Sequence, residues 1–147
     1  MTKRIKRIFK PLVLEAELQD AIVDAGHKLG YRVAHFRGVR VQRKDGTVYY
    51  QTPCQYDAEG WPDLFLLHEE KKRSIWIECK SDTGKCSPEQ IAWHDALARA
   101  GEEVYLVFPK HLDEIIQILM LKEKPSVNQR KLLDSAIIYE VGENARS

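Results

Sequence analysis

The sequence predicts an α/β (α+β) domain, a mixed sheet flanked by helices, on three observations. Runs of helical and strand periodicity follow one another as helix, strand, strand, strand, helix, strand once an inserted hairpin is set aside. Gly30, Gly101 and Pro109 fall at the ends of those runs, where chain breakers belong. The 147 residues, 44% of them hydrophobic, suffice for one domain with a real core.

The elements read in order as follows. Residues 12–29 form a helix, with Leu14, Leu18, Ala21, Ile22, Ala25 and Leu29 on one face and Gly30 as the stop. Tyr31 to Arg37 alternates and is rich in strand formers. Val39–Gln42 and Thr47–Tyr50 flank Asp45-Gly46, a dipeptide suited to a tight turn with positive φ, and form the inserted hairpin near residues 39–50. Pro53 to Pro62 is a loop. Asp63–Leu67 is a short apolar run that reads as a central strand, Glu69–Lys72 a charged turn, and Ser74–Lys80 the partner strand. Ser87-Pro88-Glu89-Gln90 starts a helix, with Ser as N-cap, Pro in the first position and Gln in the third. Gly101 ends it. Glu103–Phe108 is a strand stopped by Pro109, His111 to about Leu121 a helix, and a last helix falls near 128–138. Three regions result: a basic arm over 1–11, a core over 12–109, and a C-terminal helical extension of the same domain over 110–147.

Lys+Arg total 23 and Asp+Glu 22, a net charge of +1 that argues neither for nor against a nucleic-acid partner. The distribution says more. Lys3, Arg4, Lys6, Arg7 and Lys10 crowd the arm without an acidic residue, and Arg37, Arg40, Arg43 and Lys44 run through the hairpin region. Such runs either neutralise phosphates or are simply solvated. No stretch is apolar for long enough to cross a membrane, and no signal-peptide block follows the basic start. Cys54, Cys79 and Cys86 make an odd count without a CxxC pair, which points to free thiols in a reducing, cytoplasmic setting. The spacing of Cys79, Cys86 and His94 fits no zinc pattern.

The chemistry lies on the two central strands. Symmetric pairing about the charged turn puts Asp63 opposite Glu78, with Lys80 on the same face as Glu78 and Cys79 on the other. Opposed residues are close enough for both carboxylates to hold one ion, and a one-residue slip would break the arrangement. Two near carboxylates raise each other's pKa unless a cation compensates. Hard oxygen ligands suit Mg²⁺ or Mn²⁺ better than zinc. The alternative is a surface hairpin with a solvated Glu78–Lys80 pair. Ile75 and Ile77 on one face and Trp76 on the other argue for burial of both faces, where charges need partners or a metal.

Gly60-Trp61-Pro62-Asp63, then Glu78-Cys79-Lys80, then Ser87-Pro88-Glu89-Gln90 with Trp93, resemble the PD-(D/E)xK nuclease superfamily, and more closely its VRR-NUC branch. Leu14-Glu15-Ala16-Glu17-Leu18-Gln19 resembles that branch's N-terminal helix, and His35-Phe36-Arg37 a further segment of it. The resemblance covers roughly residues 12–109; each motif is short, but the matched pieces stand in the right order.

The resemblance implies a restriction-endonuclease-like αβββαβ core and hydrolysis of DNA phosphodiester bonds with Mg²⁺ or Mn²⁺. It implies Asp63 and Glu78 as metal ligands, the backbone carbonyl of Cys79 as another, and Lys80 as the catalytic lysine. The helix-borne glutamate falls on Glu15, with Glu17 as competitor, and Gln90 steadies the site by hydrogen bonding. Gln90 also belongs to the capping box, and one amide serving both ends is a tension the sequence leaves open. Trp93 reads as packing. His94 reads as a general acid or base or, more commonly for a lone helical histidine, as simply exposed; His35 is the better histidine to contact substrate, with a structural role as its alternative, beside Lys3, Arg4, Lys6, Arg7, Arg37, Arg40, Arg43 and Lys44 as DNA-binding cations. Stand-alone members of the branch resemble Holliday-junction resolvases and occur in phage and bacteria. Branched DNA is then the expected partner, and paired cuts suggest a homodimer, with helix 111–121 and the tail as its interface. The rival is a catalytically silent nuclease-fold module that binds branched DNA or a protein partner. Against it, a binder has no need of a lysine beside two carboxylates.

Overall fold

The computed structural model describes residues 14–36, 39–51 and 56–126. The basic arm with Lys3, Arg4, Lys6, Arg7 and Lys10, together with Arg37, Cys54 and the stretch 128–138 where a last helix is expected, lies outside the described residues.

The first helix, α1, spans Glu15–Lys28 and turns Leu18 and Ile22 inward. β1 (Arg32–His35) follows it. β2 (Val39–Gln42) and β3 (Val48–Gln51) form a separate two-stranded ribbon. Only Gly46 of the Asp45-Gly46 dipeptide takes the left-handed φ, at 88°. The turn is set by Gly46 N–H on the carbonyl of Arg43, and Asp45 folds its carboxylate back onto Thr47.

β4 (Leu64–His68) and β5 (Arg73–Cys79) are the two inner strands. α2 covers Pro88–Arg99, β6 Glu103–Val107, and α3 Leu112–Met120, the last entered through a single 3₁₀ turn at Pro109–His111. The sheet order is β1-β4-β5-β6, antiparallel except for the parallel pair β5/β6, so the sheet is mixed as expected. A parallel pair requires a crossover, and α2 supplies it.

Side chains of β5 alternate between two covered faces. Ile75, Ile77 and Cys79 enter one core with Leu18 and Ile22 of α1 and Ile115, Ile118 and Leu119 of α3. Trp76 and Glu78 face the other way, toward α2. Helix α3, expected with the tail to form a dimer interface, turns its apolar side into the protomer's own core; Met120 is its large exposed hydrophobic residue among the described residues.

One end of the sheet is closed by charge. Arg73, at the start of β5, forms a two-pronged ion pair with Glu103, Nε to Oε1 at 2.9 Å and Nη2 to Oε2 at 2.6 Å. Its Nη1 donates to the hydroxyl of Tyr31 and to the carbonyls of Ile118 and Leu121, which lie at the end of α3. Both charged side chains are buried. Removing one partner of such a pair strands the other charge in the core. Arg73→Ala is therefore expected to lower unfolding free energy by about 3–5 kcal/mol. Tyr31→Phe, which removes one neutral partner, should cost about 1 kcal/mol. Urea titration followed by circular dichroism measures both, and equal losses would contradict the assignment.

Candidate active site

The opposite end of β5 carries the expected residues. The ladder from His68↔Arg73 to Leu64↔Ile77 extends by one step to bring Asp63 level with Glu78, the register that the sequence predicts. Asp63 stands just before β4, and its Oδ2 accepts the N–H of Cys79 at 2.8 Å. The Cys79 thiol lies in the core, turned away from Glu78.

Glu78 has no solvent exposure, although it is a carboxylate on a strand. Its neighbours explain how that is tolerated. Lys80, one step along the same face and itself buried, places Nζ 3.2 Å from Glu78 Oε1. Gln90 Nε2 donates to the same oxygen at 2.6 Å. Gln90 Oε1 in turn accepts from Lys80 Nζ at 2.9 Å and from the Ser87 N–H at 2.9 Å, while Ser87 Oγ accepts the Gln90 N–H. The capping box and the site are thus one network. A single amide serves both, because its carbonyl takes two donors while its NH₂ remains for the carboxylate.

His94 departs from expectation. It is fully buried, with Nε2 3.9 Å from Glu78 Oε2. The signal was spacing: residue 94 is one helical turn beyond Gln90 and shares its face. α2 therefore addresses Glu78 from two positions.

Of the two acids on α1, Glu17 Oε2 accepts the Leu14 N–H at 3.3 Å and caps the helix. Glu15 is the one that feels the site. Partial burial raises its pKa, Lys80 pulls it back down, and Glu78 adds to the rise. Gln19 donates to it at 3.4 Å. Burial, followed by the charge of Glu78, pushes Asp63 up to about 7, against the Cys79 N–H that favours its charged form.

Aromatic rings wall the α2 side of the sheet. Trp61 meets Trp93 and Trp76 edge-to-face at 4.5 and 4.8 Å, and Phe65 lies on Trp76 at 4.4 Å. Trp93 is a packing residue, as its helical position suggests, and its Nε1 donates to the carbonyl of Asp57. Gly60, which the motif carries, has φ +85°, and a Cβ there would sit 2.4 Å from the carbonyl carbon of Glu89. The loop before Asp63 thus presses backbone to backbone on the first turn of α2, where Gln90 begins.

The structure gathers Asp63, Glu78, Lys80 and Gln90, with Glu15 at the edge. His35 ends β1 opposite Leu64, beside the strand that Asp63 precedes. Arg40, Arg43 and Lys44 stand exposed on the separate ribbon, Arg43 with its guanidinium over the Tyr49 ring at 4.8 Å. Among the described residues no three His, Cys, Asp or Glu side chains are clustered closely enough to hold an ion unaided.

A family model of the VRR-NUC domain matches residues 15–108, the span from the first residue of α1 to just past β6. No curated protein and no solved structure matches the chain significantly.

Two outcomes follow from the geometry. Gly60→Ala should destabilise the protein by roughly 1–3 kcal/mol, since it adds both strain and a backbone clash; an unchanged melting temperature would contradict that contact. For Asp63, the folded pKa lies above the unfolded one, so its contribution is fully present below 3.8 and is lost as pH rises to about 7. Metal-free wild type should lose stability relative to Asp63→Asn across that window, measured by thermal melts in EDTA at stepped pH.

Proposed function

Because the chain belongs to the VRR-NUC family of nuclease domains, within the PD-(D/E)xK superfamily, we propose that it is a divalent-metal-dependent endonuclease that hydrolyses phosphodiester bonds in DNA, with branched DNA such as Holliday junctions or flaps as substrate. The observation that carries the reading is the state of Glu78. Its Oε1 is held by Gln90 and Lys80, while its Oε2 is buried with no hydrogen-bond partner among the described residues. A buried carboxylate oxygen left without a hydrogen bond is costly unless something else completes it.

The donor set fits Mg²⁺ or Mn²⁺. Asp63 and Glu78 supply hard oxygens, the Cys79 carbonyl is the proposed third protein ligand, and Glu15 is in reach of the same field. One or two carboxylates, with water and substrate phosphate completing the shell, is the arrangement Mg²⁺ usually accepts. When bound, the cation supplies charge on the phosphate and lowers the pKa of water. Lys80 Nζ, positioned by Gln90 Oε1, provides a cation directed at the scissile phosphate and offsets charge that grows there. Gln90 holds Glu78 and Lys80 at fixed separation, so the proposed metal ligand and the proposed catalytic lysine are positioned together. His35 and the ribbon cations Arg40, Arg43 and Lys44 are proposed to contact flanking DNA, and Lys3, Arg4, Lys6, Arg7 and Arg37 are proposed as further DNA-binding cations. A homodimer making paired cuts would have to meet through a surface other than the apolar side of α3.

A silent binding module is the second reading. The buried Lys80–Glu78–Gln90 network speaks against it, since DNA affinity alone is served by exposed cations.

Incubation with four-way junction, flap and linear duplex, in Mg²⁺ and in EDTA, decides between them. Metal-dependent product is expected, most from the branched substrates; no product from any substrate sinks the enzyme reading. Asp63→Ala and Lys80→Ala should each lower cutting by at least about 100-fold, the scale of losing a transition-state charge partner. Asp63→Ala should keep DNA binding, and surviving activity in that variant would place the metal elsewhere. Gln90→Ala should lower cutting less.

A further inference from the structure

We propose that Tyr56 is a stacking platform for an unpaired nucleobase of the nucleic acid bound at the Asp63–Glu78–Lys80 site. The proposal rests on the nuclease reading and adds how a branched substrate is told from a continuous duplex.

Tyr56 is 98% exposed, the most exposed of the large hydrophobic residues identified among the described positions. It also holds a left-handed backbone, φ 60°. Among the described residues, Lys72 is the other non-glycine residue with positive φ, and a tight turn accounts for it: the Lys72 N–H closes on the Glu69 carbonyl between β4 and β5. Strained residues of this kind persist where the surroundings impose them, and they gather at functional sites. The surroundings here are identifiable. The carbonyl of Asp57, the next residue, accepts the Trp93 indole N–H at 2.9 Å. The Trp61 N–H closes on Ala58, and Gly60 lies against the backbone of Glu89 and Gln90. Residues 57–61 are thereby fastened to α2, the helix whose Gln90 holds Glu78 and Lys80. Tyr56 immediately precedes this fastened loop, and its side chain is almost wholly exposed.

A tyrosine has only two χ angles to fix, so a ring next to an anchored loop loses little entropy when a flat partner settles on it. Every base has a π-face, so such a platform is tolerant of sequence. Bases inside a duplex already have both faces covered. Only a nucleotide that is unpaired or splayed from a branch can stack on Tyr56. Tyr49 is the weaker candidate, because the Arg43 guanidinium already occupies one face of its ring and its exposure is 36% against 98% for Tyr56.

The test uses the full chain in EDTA, with labelled flap DNA and a linear duplex of equal length, by anisotropy. A 2-aminopurine in the flap reports stacking directly. Tyr56→Ala and Tyr56→Gly should weaken flap binding about tenfold more than duplex binding, and the 2-aminopurine quench should disappear. Tyr56→Phe should retain both. Glycine suits the left-handed φ, so Tyr56→Gly should melt no lower than wild type, which separates lost stacking from lost folding. Equal losses on flap and duplex, no loss on either, or no binding by wild type would each overturn the proposal. A flap-specific loss in a protein that cuts nothing in Mg²⁺ would leave the platform standing and remove the nuclease reading. Metal-dependent cutting with no Tyr56 effect would do the reverse.

Discussion

Glu78 is a carboxylate without solvent exposure on an inner strand, and the elements around it are arranged so that the charge is tolerable. Burying an ionised group unaided is prohibitive, so strand, helix and loop each contribute something. The chain just past β5 contributes Lys80, two positions along the same face. The start of α2 contributes the Gln90 amide, and its next turn brings His94. The loop before β4 contributes Asp63, whose carboxylate binds the backbone between Glu78 and Lys80. Gly60 then fixes how closely that loop approaches α2.

The two ends of β5 make an instructive pair, since both bury charge. At Arg73 all three guanidinium nitrogens are engaged, on two carboxylate oxygens, a hydroxyl and two carbonyls. These bonds tie the end of α3 to the sheet. At Glu78 one oxygen is satisfied and the other has no hydrogen bond among the described residues. The Asp63 carboxyl beside it titrates near neutrality instead of in the ordinary range. Perturbed, incompletely satisfied groups at one end and a two-pronged ion pair at the other is the expected contrast between a site and a structural tie.

Much of this was legible in the sequence because it rests on short-range rules. Strand parity and symmetric pairing about a four-residue turn predict that Asp63 and Glu78 meet, and the ladder has that register. Ser87-Pro88-Glu89-Gln90 announces a helix start through capping chemistry alone. What was not legible depends on packing between distant segments. Helical spacing puts His94 on the face of Gln90, yet nothing local says that this face is buried on β5. Residue 60 reads as a turn glycine, while its tight contact with Glu89 arises only when loop and helix come together. The apolar stripe of α3 signals burial but not against what, and it covers the protomer's own core. The Arg73–Glu103 pair joins strands separated by a whole crossover, beyond any periodicity.

Gln90 stands in the first turn of α2, and helix ends are where helices fray. Most proteins can let such a turn open and close without consequence. Here each opening would release Lys80 and Glu78 together, so the fraction of molecules competent at any instant equals the fraction with that turn closed. Apparent affinity and rate scale with that fraction. The backbone clamp at Gly60 and the Ser87 cap therefore act as a dynamic governor: amide exchange at the start of one helix and turnover at the site should report the same opening equilibrium.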